Sequence, residues 1–85
     1  TIKYTLTGAD YTLVGNGNYG NFDVRAGKDE EAESVRLDKV STILLNNFPS
    51  DEEGQKYIVS YNIYNGAAGV WSLSVIKEGG AYVKQ

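Results

Sequence analysis

The chain has 85 residues, a formal net charge of −3, no histidine and no cysteine. That length predicts one domain at the small end of what folds unaided, burying roughly 60–65% of the surface its extended chain exposes. The missing residue types exclude disulfides, thiolate metal sites and every Ser-His-Asp or Cys-His nucleophile, so an enzyme built on this chain alone would depend on carboxylates, lysine or tyrosine. The acidic balance and the scatter of Lys3, Arg25, Lys28, Arg36, Lys39, Lys56, Lys77 and Lys84 speak against nucleic acid, which needs a basic patch to displace counterions. The longest apolar run, Ile43-Leu44-Leu45, is too short for a transmembrane segment. An opening at Thr1 with no initiator methionine or signal segment reads as a single small domain, 1–85, excised from a longer exported protein.

Residues 2–7 alternate Ile2, Tyr4 and Leu6 with Lys3, Thr5 and Thr7, the period of a half-buried strand. Thr7-Gly8-Ala9-Asp10 has the T-x-x-D form of a capping box, and Gly15 stands where a left-handed C′ residue belongs, so a short helix is expected over 8–14. The near-repeat of Tyr4–Gly8 in Tyr11–Gly15 has no further units and does not make a repeat architecture. Residues 15–29 read as a Gly/Asn-rich loop with a short strand at Phe22–Arg25. Acidic residues at 29, 30, 31 and 33 precede an apolar stripe at Leu37, Val40, Ile43/Leu44 and Phe48. The stripe predicts the main helix over about 36–47, with Asp38 as an N-cap if it starts late, and Pro49 ends it. After a turn at Ser50–Gly54 the chain is all strand: 56–64, a five-residue hairpin loop at 65–69, 70–77, a turn at Glu78–Gly80, and 81–84. Alternation assigns Tyr57, Tyr61 and Trp71 to the core. The fold class expected is α+β, a small antiparallel or mixed sheet of about four strands with one main helix on one face and a short helix after the first strand. Where the first strand joins the sheet is left open.

Gly15, Gly17 and Gly20 fall in the spacing G-x-G-x-x-G, which cradles phosphate when a strand precedes it and a helix follows. Here a short helix precedes and an extended stretch follows, so the glycines read as a turn. Paired carboxylates at Asp29-Glu30-Glu31 and Asp51-Glu52-Glu53 could serve glycoside hydrolysis at separations of roughly 5–9.5 Å. Neither has calcium-loop spacing, and both read as solvated surface. No catalytic residue, metal ligand or cofactor is therefore assigned. Among the aromatic residues, Tyr19 in the glycine loop and Tyr64 at a strand end are the ones expected to stay exposed. They are the candidate binding residues, able to stack on a sugar ring or anchor a protein contact.

The segments YTLTGADY (4–11), NNFPSDEEGQKYIVSYNIYNG (46–66) and GGAYVKQ (79–85) resemble a pattern in secreted, often lipid-anchored surface proteins of Bacteroidetes. There a Y-x-L-T-x-x-D-Y opening leads to a helix ending in F/Y-P, an acidic-Gly turn and a V-x-Y-x-x-Y strand. The resemblance implies an accessory domain of a cell-surface or periplasmic protein, some of them encoded near glycan-uptake machinery, and it carries no assigned site residues. The function expected is a non-enzymatic accessory or binding module. Its partners would be neighbouring domains of the same polypeptide and a glycan or protein, with an extracytoplasmic location. The alternative is a fragment of a multidomain hydrolase in which Asp23, Asp51 or Glu53 joins a shared site.

Overall fold

The computed structural model describes all residues, Thr1–Gln85. In chain order the elements are β1 (Ile2–Thr5), α1 (Gly8–Leu13), β2 (Phe22–Asp23), a 3-10 turn (Asp29–Glu31), α2 (Glu33–Asn47), β3 (Lys56–Tyr64), β4 (Ala68–Glu78) and β5 (Ala81–Lys84). They form the α+β fold expected, with a five-stranded mixed sheet in the order β1-β3-β4-β5.

The first two strands both run parallel to β3 and lie end to end along one of its edges. β1 pairs with Tyr57–Ser60 and β2 with Ile63–Tyr64. The break between them falls at Asn62, whose backbone N–H donates to the Tyr11 hydroxyl at 2.8 Å. Helix α1 thus supplies the acceptor that a continuous strand would have supplied, and the edge carries no orphaned donor there. The far edge is also protected where β5 ends the sheet: the Tyr82 N–H donates to Ser41 Oγ of α2 at 3.0 Å.

One sheet face is dry. Tyr57, Val59, Tyr61 and Ile63 of β3 pack with Leu73 and Val75 of β4, Tyr82 of β5, and Val40, Ile43 and Leu44 of α2. Each fully buried aliphatic side chain contributes about 1.5–3 kcal/mol. Phe22 is wholly buried and makes an edge contact to Tyr11 and a tilted one to Tyr61, so the two-residue β2 is held by its side chain as much as by its ladder. The other face carries Thr5, Asn62, Ser72 and Ser74 to solvent, the one-sided burial that strands of period two allow. No helix is long and apolar enough to cross a membrane.

Several boundaries differ from the sequence reading. α2 begins at Glu33 rather than about 36, and Asp38 lies inside it. No side chain caps this start. Instead the Ala32 carbonyl accepts from the Val35 and Arg36 N–H groups, while the buried Arg36 ties down the preceding 3-10 turn through the Glu30 and Glu31 carbonyls, each at 2.8 Å. The hairpin loop is three residues, because Ala68 and Gly69 already pair with Tyr64 and Ile63. β2 is half the length expected for the 22–25 strand. Trp71, assigned to the core by alternation, is 40% exposed. It points to the correct face, but β5 flanks only Val75–Glu78 of β4, so no strand shields it. The Arg36 guanidinium covers it instead, 5.0 Å from the ring centre.

Candidate functional site

The glycine loop is shaped from α1 outward. Thr7 accepts from the Asp10 N–H and Asp10 accepts from the Thr7 N–H, closing the expected capping box. At the other end the Gly15 N–H donates to the Thr12 carbonyl and the Asn16 N–H to the Tyr11 carbonyl, a Schellman closure with Gly15 at φ +86°. Gly17 abuts the same helix, where a Cβ would lie 2.6 Å from Thr12 Oγ1. The Gly20 N–H donates to the Asn16 carbonyl. The G-x-G-x-x-G spacing therefore serves helix termination and close approach, and the amides at 15, 16 and 20 are already engaged.

Glu30 then fixes the loop to the rest of the molecule. Its carboxylate accepts from the Asn16 amide at 2.6 Å, the Asp23 N–H at 2.8 Å and the Lys39 ammonium at 2.7 Å. Burial would raise this carboxyl, but the bonds from Lys39, Asn16 and Asp23 outweigh it and hold it below its ordinary value. One ion-paired side chain thus joins the loop, β2 and α2.

The result is a cleft of about 290 Å³ lined by Tyr19, Asn21, Asp23, Arg25 and Tyr64. Asp23 and Tyr64 are register partners across β2 and β3. Arg25 binds Asp23 with two side-chain nitrogens, Nε at 2.9 Å and an Nη at 2.7 Å. That bonding holds the Asp23 carboxyl down at about 2, and the guanidinium lies 5.2 Å from the Tyr64 ring centre. Tyr19 projects from the loop, 87% exposed. It also borders a shallower depression reaching Asn62 and Val70. Asn21, also in the lining, gives its backbone carbonyl to the Asn16 amide. Aromatic faces, an amide and an ion-paired Asp–Arg offer apolar surface, donors and acceptors within one small volume.

Both tyrosines singled out in the sequence, Tyr19 and Tyr64, meet in this cleft. Of the carboxylates considered for catalysis, Asp23 also borders a second depression with Asp29 and Glu30, while Asp51 and Glu53 have partners of their own. Asp23 lines the cleft; Asp51 accepts from the Tyr57 and Tyr82 hydroxyls; Glu53 accepts from the Gly79 and Gly80 N–H groups. The bond from Tyr57, then that from Tyr82, lowers the Asp51 carboxyl. Burial, followed by the bond to Asp51, raises the Tyr57 phenol to about 12 and pushes Tyr82 up as well. No group of three or more acidic side chains could hold a metal ion.

Asn21 and Arg25 were not singled out by sequence reasoning. Asp23 and Arg25 stand two apart in an extended stretch, which puts them on one side and was the available signal. Asp10, read in the sequence as a capping-box residue, is also buried and accepts from the Tyr4 hydroxyl at 2.6 Å and the Asn47 amide at 2.9 Å, contacts that the capping pattern does not reveal. The chain matches no protein-family model, no curated protein and no solved structure.

Proposed function

We propose that this chain is a non-enzymatic binding module of a larger cell-surface or periplasmic protein, and that the cleft between Tyr19 and Tyr64 takes a carbohydrate ring. One observation carries the reading: two exposed tyrosines flank a small cleft whose remaining lining is Asn21, Asp23 and Arg25. A sugar has an apolar C–H face that suits an aromatic ring and hydroxyls that both donate and accept. Asp23 accepts, Arg25 donates and Asn21 does both. The Asp23–Arg25 pair leaves no net charge in the cleft, which favours a neutral sugar over an ionic ligand. The extracytoplasmic setting rests on the motif resemblance, and neighbouring domains of the same polypeptide are its natural partners. A hydrolase fragment has less support, since Asp23, Asp51 and Glu53 face three different sets of partners.

The cleft is shallow and open, so the affinity expected is on the order of 1 mM, about −4 kcal/mol. Titrating the domain with a panel of neutral mono- and oligosaccharides tests it by calorimetry or fluorescence. At least one sugar should bind, and Tyr19→Ala and Tyr64→Ala should each weaken it about tenfold or more. Absence of binding across the panel, or binding indifferent to both substitutions, would overturn the proposal.

A further inference from the structure

The second half of the sheet carries an open edge. Backbone groups of β3 alternate in direction: the Ser60 carbonyl, Asn62 N–H and Tyr64 carbonyl face β1, Tyr11 and the residues after β2, so Tyr57, Val59, Tyr61 and Ile63 face β4. In the β3–β4 register, Gly69, Trp71 and Leu73 therefore point their backbone groups into the sheet, while Ala68, Val70, Ser72 and Ser74 point theirs outward. Ser74 is occupied, its carbonyl accepting from the Gln85 N–H at 2.9 Å. β5 pairs no further along than Val75. Ala68, Val70 and Ser72 are left with their donors and acceptors aimed at solvent, and no loop or side chain bonds to them.

Protein edges are usually blunted by charge, proline, a bulge or a covering element. Ala67 to Ile76 contains no charge and no proline. The pairing with β3 runs without a bulge from Lys56–Ile76 to Tyr64–Ala68. Val70 is 65% exposed and Trp71 40%.

We propose that this edge is an interface between two copies of the chain, with β4 pairing antiparallel to β4 of its partner about a two-fold axis at Val70. This inference is independent of the carbohydrate reading. The occupant follows from self-complementarity. Centring on Val70 sets Ala68 opposite Ser72 of the partner subunit, so each outward N–H meets an outward C=O. Centring on Ser72 would instead require Ser74, which Gln85 already holds. In the Val70 register, Trp71 lies opposite Gly69 of the partner subunit on the same sheet face, where the Ile63 side chain leans over the glycine, its Cδ1 3.2 Å from where a Cβ would stand, so the indole meets an apolar side chain. No charged residue lies on the paired segment, so no like charges meet despite the net −3 of each copy.

Sedimentation equilibrium from micromolar to millimolar concentration tests the proposal. The wild-type chain should show a reversible monomer–dimer equilibrium. Val70→Lys, which sets two ammonium groups against each other at the axis, should weaken it at least tenfold. Val70→Pro, which removes the outward N–H and no bond of the β3–β4 ladder, should do the same. Thr5→Lys, exposed on β1 at the opposite edge of the sheet, should leave it unchanged. Isotope-filtered NOEs in a mixed-label sample should connect the Trp71 indole to Gly69 of the partner subunit. A wild-type chain still monomeric at about 1 mM, near −4 kcal/mol of association, would overturn the proposal, as would a Val70→Lys chain that dimerises as tightly as wild type.

Discussion

In the cluster of Tyr4, Asp10 and Asn47, the carboxylate accepts from the Tyr4 hydroxyl, the Asn47 amide and the Thr7 N–H, and the Asn47 amide also donates to the Tyr4 hydroxyl at 3.0 Å. Asp10 is 4% exposed. Around Tyr19 and Tyr64 the same residue types, with Asn21 and Asp23, line a cleft open to solvent, and only the Asp23 side chain is tied down, by Arg25. The first cluster spends its bonding capacity internally and joins β1, α1 and the end of α2. The second keeps aromatic faces and an amide available to something outside. Residue chemistry alone does not separate a closed cluster from an open one here; satisfaction of the polar groups does.

If that contrast is right, the largest effect comes from breaking the satisfied cluster. Asp10→Ala removes the capping-box partner, takes away the acceptor of the Tyr4 O–H, and leaves the Asn47 amide with the Tyr4 hydroxyl alone. It should cost about 3 kcal/mol in urea unfolding; a loss under about 1 kcal/mol would mean that the cluster is not a structural joint.

A smaller and graded effect should come from pH. Burial favours the neutral Asp10 carboxyl, but the bonds from Asn47, Thr7 and Tyr4 outweigh it, and its folded value lies below the ordinary one. Such a group supplies stability that is complete above its unfolded value of about 4 and fades as pH falls through the lower folded value. Glu30 and Asp51 add to the same acid limb. The Tyr4 and Tyr57 phenols run the other way. Burial first and a carboxylate bond second raise both to about 12. Their contribution is complete below the unfolded value of about 10 and is lost as pH rises from there toward 12. The urea midpoint should therefore plateau at neutral pH and decline on both sides. In Asp10→Ala both limbs should flatten, because one carboxylate is gone and Tyr4 has lost its partner.

The smallest effect should be on the open side of the comparison. Tyr19→Ala removes an exposed ring with no packing role, and the unfolding free energy should stay within about 0.5 kcal/mol of wild type. A loss of more than about 1 kcal/mol would make Tyr19 structural and erase the distinction.

Local chemistry was legible in the sequence where it acts over a few residues. Thr7, Asp10 and Gly15 marked both ends of α1, Pro49 ended α2, and alternation placed Tyr57, Val59, Tyr61 and Ile63 on the dry face. The start of α2 was not, because Ala32 has no capping side chain and the stabilising Arg36 acts backwards on carbonyls. The parallel pairing of β1 and β2 with β3 spans more than forty residues and leaves no local signature. The cleft depends on that pairing. Tyr19 and Tyr64 could be marked as exposed, but their meeting beside Asn21, Asp23 and Arg25 is set by the Asp23–Tyr64 register and by the Glu30 anchor. Trp71 shows the converse: alternation gives its face correctly and is silent on whether a neighbouring strand covers it.

The most direct measurement is a residue-by-residue map of backbone and side-chain NMR shifts during titration with neutral oligosaccharides. Concentration-dependent shifts should concentrate at Tyr19, Asn21, Asp23, Arg25 and Tyr64 and leave Tyr4, Asp10 and Asn47 unmoved. Shifts confined to other surfaces, or none at tens of millimolar sugar, would contradict the assignment of the open cleft as the binding site.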